Sequence, residues 1–280
     1  MRGSSPAADG YPLAVTRFAA TGKPWTTMVL GGAMGVRQDF YHPYARYLAA
    51  HGAHVITFDY RGMGWSLNGS PRDVQADVSV WAEQDLEAML QQAKSAAPGL
   101  PLTFMGHSLG GQLLGVLPGA ADVKAALTVT AGSGYYKFND RMPAGVRFFW
   151  FVAIPALTPV FGYFPGKSLR MVGDLPRGVA WQWRKWCLHP EYLLAEGDAY
   201  RSAFDRVRIP IRSYSFDDDP IITRPAVDHL HTFYRAAKVE RLHLEPRERN
   251  ARRIGHFGFF SAASEPTLWA ESLEWLRASV

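Results

Sequence analysis

Cysteine is almost absent from this sequence: Cys187 is the single example among 280 residues. One cysteine excludes an intrachain disulfide, so nothing in the sequence requires an oxidising compartment. The residue lies in an aromatic stretch, which favours the interpretation that it is a small packed side chain. Hydrophobic residues make up 48% of the chain, which is typical of one large globular domain with a substantial core.

Long uninterrupted apolar runs are also missing. Residues 1–13 include one arginine but no apolar core of the length that a signal peptide requires, so we expect a cytoplasmic location. Residues 146–164 are apolar, yet Arg147 lies near their start, and Pro155 and Pro159 interrupt them. This pattern predicts a buried or interfacial lid segment and no transmembrane segment.

Neither sign of charge dominates, and motifs for metals and nucleotides are lacking. The 30 Lys and Arg residues exceed the 25 Asp and Glu residues only slightly, and the excess is scattered, so we expect no nucleic-acid partner. His229 and His231 are two residues apart, which on a helix points their rings in different directions. No complete glycine-rich phosphate-binding motif is present. We therefore predict no metal and no cofactor, and the sequence carries no pattern that sets the oligomeric state.

What the sequence does have is an alternation of strand-like and helix-like segments. Short apolar runs predict strands, and spacings such as that of Leu86, Leu90 and Ala93 predict the buried face of a helix. The predicted strands are 24–30, 55–58, 102–105, 125–129, 209–215 and 239–243, and the predicted helices are 41–50, 80–93, 109–117, 224–236 and 266–276. This alternation predicts the α/β class, with a mostly parallel sheet flanked by helices.

The alternation breaks over residues 134–205, which contain Trp150, Trp181, Trp183 and Trp186 and little strand signal. We interpret this segment as an inserted, largely helical cap. Residues 1–133 then form the first part of the α/β core, and residues 206–280 form the second part.

A candidate nucleophile stands in Gly106-His107-Ser108-Leu109-Gly110, which matches G-x-S-x-G. A predicted strand runs into this motif and a predicted helix leaves it, which is the context that holds a serine at the tip of a strained turn. The alternative is an ordinary strand-to-helix turn in which Ser108 only caps the helix.

A serine hydroxyl needs a base, and His256 is the best placed of nine histidines. It follows the last predicted strand in Ile254-Gly255-His256-Phe257-Gly258, a glycine-flanked loop. Of the others, His42, His51 and His54 precede the nucleophile, His229 and His231 fall inside a predicted helix, and His107 is expected to point away from Ser108. The alternative for His256 is a purely structural role.

The base in turn needs a carboxylate, which Asp217, Asp218 and Asp219 offer at the end of a predicted strand. Asp219, just before Pro220, fits the usual position best and Asp218 is second. Each aspartate could instead be a solvated turn residue or a helix cap.

The oxyanion formed on attack needs two backbone N–H donors. Leu109 is the first candidate because it follows the nucleophile. The second comes from the glycine loop at residues 31–35, where we favour Met34 over Ala33. The alternative is that this loop is only a tight turn.

These motifs resemble the α/β-hydrolase superfamily over nearly the full chain. Asp59-Tyr60-Arg61-Gly62-Met63-Gly64-Trp65-Ser66 is similar to the D-x-R-G-x-G-x-S loop that many members carry after their fourth strand. The segments 33–36, 106–111, 174–178 and 255–260 together resemble a group of bacterial α/β hydrolases related to the serine aminopeptidase-like and esterase branches. One departure is Gly31-Gly32, where many relatives have His-Gly. Serine at 108 is unlike the aspartate of the haloalkane dehalogenase and epoxide hydrolase branches.

The sequence therefore predicts a serine hydrolase that cleaves a carboxylic ester or thioester through an acyl-enzyme on Ser108. Aromatic residues of the predicted cap, such as Phe149 and Trp150, are expected to line a pocket for an apolar acyl or aryl group of a small-molecule substrate. An acyltransferase or amidase with the same triad is an alternative, and so is a non-catalytic small-molecule receptor on the same fold.

Overall fold

In the computed structural model, which describes residues 2–139 and 143–280, an eight-stranded sheet forms the centre of the chain. The strands of the described chain are β1 (Arg2–Pro6), β2 (Pro12–Phe18), β3 (Thr26–Gly31), β4 (Ala53–Phe58), β5 (Leu102–His107), β6 (Val123–Val129), β7 (Tyr163–Phe164), β8 (Leu175–Pro176), β9 (Pro210–Phe216) and β10 (Lys238–Leu244). Eight of them form the central sheet in the order β1-β2-β4-β3-β5-β6-β9-β10, and β7 and β8 pair with each other in a separate two-stranded sheet. Within the eight-stranded sheet, the five neighbouring pairs β4-β3, β3-β5, β5-β6, β6-β9 and β9-β10 are parallel, which confirms the predicted mostly parallel sheet.

The antiparallel edge formed by β1 and β2 was not predicted. β1 has the sequence RGSSP and four of its five residues are exposed, so it carries no apolar run that would mark a strand. Its place at the edge of the sheet explains this composition, because an edge strand needs only one hydrogen-bonded neighbour.

Helices cover the sheet. The α-helices are α1 (His42–Ala50), α2 (Val78–Val80), α3 (Glu87–Ala96), α4 (Leu109–Leu113), α5 (Pro143–Phe148), α6 (Ile154–Phe161), α7 (Arg177–Leu188), α8 (Asp198–Arg206), α9 (Arg224–His231) and α10 (Ala270–Ala278). Wider π-helical turns join α2 to α3 at Trp81–Leu86, join α5 to α6 at Phe149–Ala153 and precede α10 at Glu265–Trp269. Short 3₁₀ turns lie at Gln38–Tyr41, Gly64–Ser66, Pro71–Asp73, Leu114–Val116, Pro118–Asp122, Tyr136–Phe138, Tyr192–Glu196, Pro246–Arg249, Gly258–Phe260 and Ala262–Ser264.

Alternate residues of β3 enter two separate apolar cores. Met28 and Leu30 pack in the cluster that contains α1 and α10, whereas Val29 packs in the cluster that contains α3. Successive side chains of a strand point to opposite faces, so this division shows that the central sheet is covered on both sides.

Two predicted helices are shorter in the structure. The helix predicted over 109–117 is α4 followed by a 3₁₀ turn, and the helix predicted over 224–236 ends at His231. The second expectation is wrong at its C-terminal end because Phe233 and Tyr234 turn inwards and pack on Phe204.

The segment between β6 and β9 is mostly helical and contains α5 to α8 with the β7–β8 pair. Of the predicted insertion 134–205, residues 140–142 lie outside the described residues, and the division into core and cap stays a prediction. By length and composition alone, Ala144–Phe161 could cross a membrane: its mean hydropathy is 1.5 and 22% of it is buried.

The loop after β4 is held by hydrogen bonds between its charged side chains and neighbouring segments of the chain. The Arg61 Nε donates to Asp85 at 2.7 Å, and its terminal nitrogens reach Asp9. Asp59 accepts from the backbone N–H of Gln38 and of Trp65. Both charged groups therefore have hydrogen-bond partners, so this loop supports the fold.

Candidate active site

Ser108 lies at a sharp turn between β5 and α4. Its backbone has φ 50° and ψ −115°, a conformation that costs free energy for a residue with a side chain. The Ser108 N–H donates to the Val129 carbonyl at 2.9 Å, which ties the turn to the neighbouring strand β6. The structure therefore holds a partly exposed serine at the carboxyl edge of the sheet, where the strained turn presents it.

Glycines on both sides of Ser108 allow this turn to form. A Cβ at Gly110 would lie 2.1 Å from the Gly31 carbonyl oxygen, and one at Gly106 would lie 2.4 Å from the Gly111 Cα. Such contacts are far below van der Waals distances, so α4 can approach β3 and β5 only without side chains here.

His256 and Asp219 form a buried hydrogen-bonded pair. The His256 Nδ1 lies 2.8 Å from Asp219 Oδ2, and the second oxygen, Oδ1, accepts from the backbone N–H of Ile221 at 2.7 Å and Ile222 at 3.0 Å. A carboxylate can only accept, so Nδ1 carries the proton and Nε2 is left as the basic nitrogen. This tautomer can remove a proton from a hydroxyl.

The two other aspartates of the run have different places. Asp218 accepts from the backbone N–H of Ile254 at 2.9 Å and of Gly255 at 2.9 Å, so it anchors the loop that carries His256. The Asp217 side chain is exposed and lies 3.9 Å from His243 Nε2. Of the three aspartates, only Asp219 has a hydrogen bond to His256 among the described residues.

Ser108 and His256 line one cavity of about 580 Å³, and so do Leu109 and Met34. Much of the remaining wall is apolar and includes Val146, Phe149, Trp150, Met171 and Val172. Within the described part of the chain no hydrogen bond joins the Ser108 hydroxyl to His256. Contacts of this kind are often long in a free enzyme and tighten when substrate binds.

The backbone N–H groups near Ser108 differ in whether they are already used. The Ala33 N–H donates to the Tyr41 hydroxyl at 2.7 Å. Those of Met34 and Leu109 have no partner among the described residues, and both residues line the cavity. Met34 and Leu109 thus have N–H groups left to bind an oxyanion, whereas that of Ala33 is taken.

A buried relay that sequence reasoning missed connects the two loops of the site. His107 Nε2 lies 2.9 Å from the His256 carbonyl, and its Nδ1 lies 2.9 Å from the Tyr41 hydroxyl. Because a carbonyl only accepts, Nε2 carries the proton and Nδ1 accepts from Tyr41, which itself accepts from Ala33. Burial lowers the pKa of His107 well below its ordinary value, so the ring is neutral. The position of His107 beside Ser108 was its only sequence signal, and Tyr41 had none.

Gln112 is a second residue that the sequence did not single out. It lies four residues after Ser108 and lines the cavity. Its Oε1 accepts from the Tyr192 hydroxyl at 2.6 Å, which leaves the Nε2 hydrogens without a partner among the described residues. A fixed polar donor in a mostly apolar cavity is suited to orienting a bound molecule.

No group of three or more His, Cys, Asp or Glu side chains suitable for a metal ion occurs among residues 2–139 and 143–280. His229 and His231, which the sequence analysis considered, lie in α9; the Nδ1 of His231 bonds the Val227 carbonyl at 2.7 Å.

Residues 23–130 match the family model of serine aminopeptidase S33. Solved structures that the chain resembles include an esterase from Exiguobacterium antarcticum (17% identity, 100% of each chain, TM-score 0.63), the esterase Pf2001 from Pyrococcus furiosus (13%, 100% of this chain and 92% of the other, 0.64) and a monoacylglycerol lipase from Paleococcus ferrophilus (14%, 96% and 99%, 0.63). A search of curated proteins found no match.

Proposed function

We propose that this chain, which has the α/β-hydrolase fold, is a serine hydrolase that cleaves carboxylic esters or thioesters through an acyl-enzyme on Ser108. The family match and the structural neighbours support a hydrolase. The observation that carries the finer proposal is the buried Asp219–His256 pair beside the strained turn of Ser108, with both Ser108 and His256 facing one cavity.

In the proposed reaction, His256 Nε2 removes the proton from Ser108 Oγ as that oxygen attacks the carbonyl carbon of the substrate. Asp219 stabilises the imidazolium that forms. The N–H groups of Leu109 and Met34 donate to the developing oxyanion. The imidazolium then gives its proton to the leaving oxygen or sulfur, and a water molecule activated by His256 hydrolyses the acyl-enzyme.

The cavity supports an apolar acyl or aryl group as the part of the substrate that is recognised. Its volume of about 580 Å³ lies in the range of small-molecule pockets, and aromatic side chains such as Phe149 and Trp150 contribute to its wall. Gln112 adds a hydrogen-bond donor for a polar group of the substrate.

A series of p-nitrophenyl esters of increasing acyl length tests this proposal. We expect kcat/KM to rise from acetate to medium-chain esters because more apolar surface is buried in the cavity. A Ser108→Ala variant is the matched control for background hydrolysis. Activity on acetate alone would contradict the roomy apolar pocket. Reaction of Ser108 with a fluorophosphonate but no turnover of any ester, thioester or amide would favour the receptor, and turnover only with amides or with an added acyl acceptor would favour the alternative enzymes.

A further inference from the structure

The helix that runs through α5, the π turn and α6 exposes an apolar face to solvent. Phe148 is 52% exposed, Phe151 is 50% exposed and Val160 is 75% exposed, with Val152 beside them. These four residues, which we call the apolar helix face, recur at helical spacing along roughly 18 Å of helix. Exposed aliphatic and aromatic groups in such a row are typical of a surface that has a partner.

The opposite side of the same helix is already occupied by protein. Trp150, Ala153 and Ile154 are buried in the core, and Phe149 lines the cavity next to Ser108. The helix is therefore apolar on both sides, and core packing accounts for only one of them. Because its inner side is packed against the protein, the helix can lie on an apolar surface but is not free to cross a bilayer.

The charged residues near the apolar helix face indicate the chemistry of the surface that it binds. Residues 143–173 contain no Asp or Glu, whereas Arg147, Lys167 and Arg170 are all present and exposed. Lys167 and Arg170 line the same cavity that the helix lines through Phe149. A two-fold contact between copies of this face would bring like charges together without a carboxylate from this segment to pair with them. An anionic lipid surface satisfies both the apolar residues and the cations.

We propose that the apolar helix face binds the surface of an anionic phospholipid bilayer, with the helix lying in the interface. Phe148, Phe151, Val152 and Val160 enter the boundary between head groups and acyl chains, and Arg147 contacts the phosphates. The contact places the cavity lined by Ser108 beside the lipid surface. Binding itself requires no turnover, so this proposal does not depend on the hydrolase chemistry.

Flotation with vesicles of phosphatidylcholine alone, and with a quarter of it replaced by phosphatidylglycerol, tests the proposal. The full chain carrying Ser108→Ala is used so that no lipid is consumed. We expect binding to the anionic vesicles that weakens as salt is raised. A double variant, Phe148→Glu with Val160→Glu, should bind at least roughly tenfold more weakly, because it removes two apolar groups and adds two negative charges.

A matched control adds the same charge elsewhere. Ser95 and Val280 are exposed; Ser95 lies at the end of α3, and Val280 lies beside Pro101, which precedes β5. Both positions belong to the opposite edge of the sheet from Ser108. Ser95→Glu with Val280→Glu should keep vesicle binding close to that of the parent protein. Thermal unfolding of each variant confirms that it is folded.

Three results would overturn the proposal: no binding of the parent protein to anionic vesicles, equal binding by both double variants, or a dimer in solution that the face variant abolishes while vesicles are not bound. The last result would assign the face to a second copy of the chain. In the protein with Ser108 intact, the face variant should hydrolyse a soluble ester like wild type, because neither substituted residue lines the cavity. Absence of both ester and thioester turnover by the wild-type chain would refute the proposed function and would leave the vesicle result interpretable.

Discussion

Replacing Asp219 by asparagine should disable the site while leaving its shape intact. Asp219 Oδ1 accepts from the N–H groups of Ile221 and Ile222, and Oδ2 accepts from His256 Nδ1. Asparagine has a single acceptor oxygen, and the two backbone donors hold it at the Oδ1 position. Its NH₂ group then faces His256 Nδ1, so the ring must carry its proton on Nε2.

A histidine protonated on Nε2 cannot take the proton of Ser108. We therefore expect kcat on a p-nitrophenyl ester to fall by about 10⁴-fold at neutral pH, equivalent to about 5.5 kcal/mol of transition-state stabilisation. The free energy of unfolding should change little, since the two backbone N–H groups keep their acceptor.

Asp218→Asn is the matched control for this prediction. Asp218 accepts one backbone N–H on each oxygen, from Ile254 and Gly255, so asparagine loses one of these bonds. We expect a cost of about 1–3 kcal/mol in the free energy of unfolding and a fall in kcat of less than roughly tenfold, because the His256 tautomer is kept. Urea unfolding and steady-state kinetics on both variants measure the two effects. An Asp219→Asn enzyme within roughly tenfold of wild type, or one no worse than Asp218→Asn, would refute the assignment of the acid.

Two further predictions concern buried polar groups. Tyr41→Phe removes the hydroxyl that accepts from the Ala33 N–H and donates to His107, so two buried groups lose their partners. We expect the free energy of unfolding in urea to fall by about 2–4 kcal/mol and kcat to fall more than KM changes. An unchanged unfolding midpoint would contradict the relay. Burial lowers the pKa of His231 to about 4, below its value of about 6.5 in the unfolded chain, so the unfolded chain binds the extra proton between these values. Its contribution to stability is complete above about pH 6.5 and is lost at about 1.4 kcal/mol per pH unit as the pH falls towards 4. Urea unfolding of His231→Leu from pH 7.5 to 5 should show a pH slope smaller by that amount, and a slope equal to that of wild type would show that the ring is not held neutral.

The α/β-hydrolase fold was predictable because its central strands carry strong local signals, and it is confirmed. β5 is a buried apolar run that ends in a glycine motif, and α4 starts immediately afterwards. β1 was not predictable because an exposed edge strand has no apolar pattern. The end of α9 was misjudged because Phe233 and Tyr234 continue a helical pattern in sequence but pack on Phe204, which is distant in the chain.

Within the site, sequence position favoured Asp219 over Asp218 as the partner of His256 but did not exclude Asp218. The two differ only in which way the turn after β9 directs each carboxylate, and hydrogen bonds to Ile221 and Ile222 settle that direction for Asp219. The role of Tyr41 depends on a contact between residues far apart in the chain, so no local motif marks it. The boundaries of the cap at 134 and 205 and the cytoplasmic location stay predictions.

The central claim is that Ser108 is a nucleophile activated by His256. Incubation of the intact chain with a fluorophosphonate, followed by mass spectrometry of its peptides, tests this directly. We predict one covalent adduct, located on Ser108, that is abolished in Ser108→Ala and forms much more slowly in His256→Ala. An unmodified Ser108, or labelling at the same rate without His256, would contradict the account.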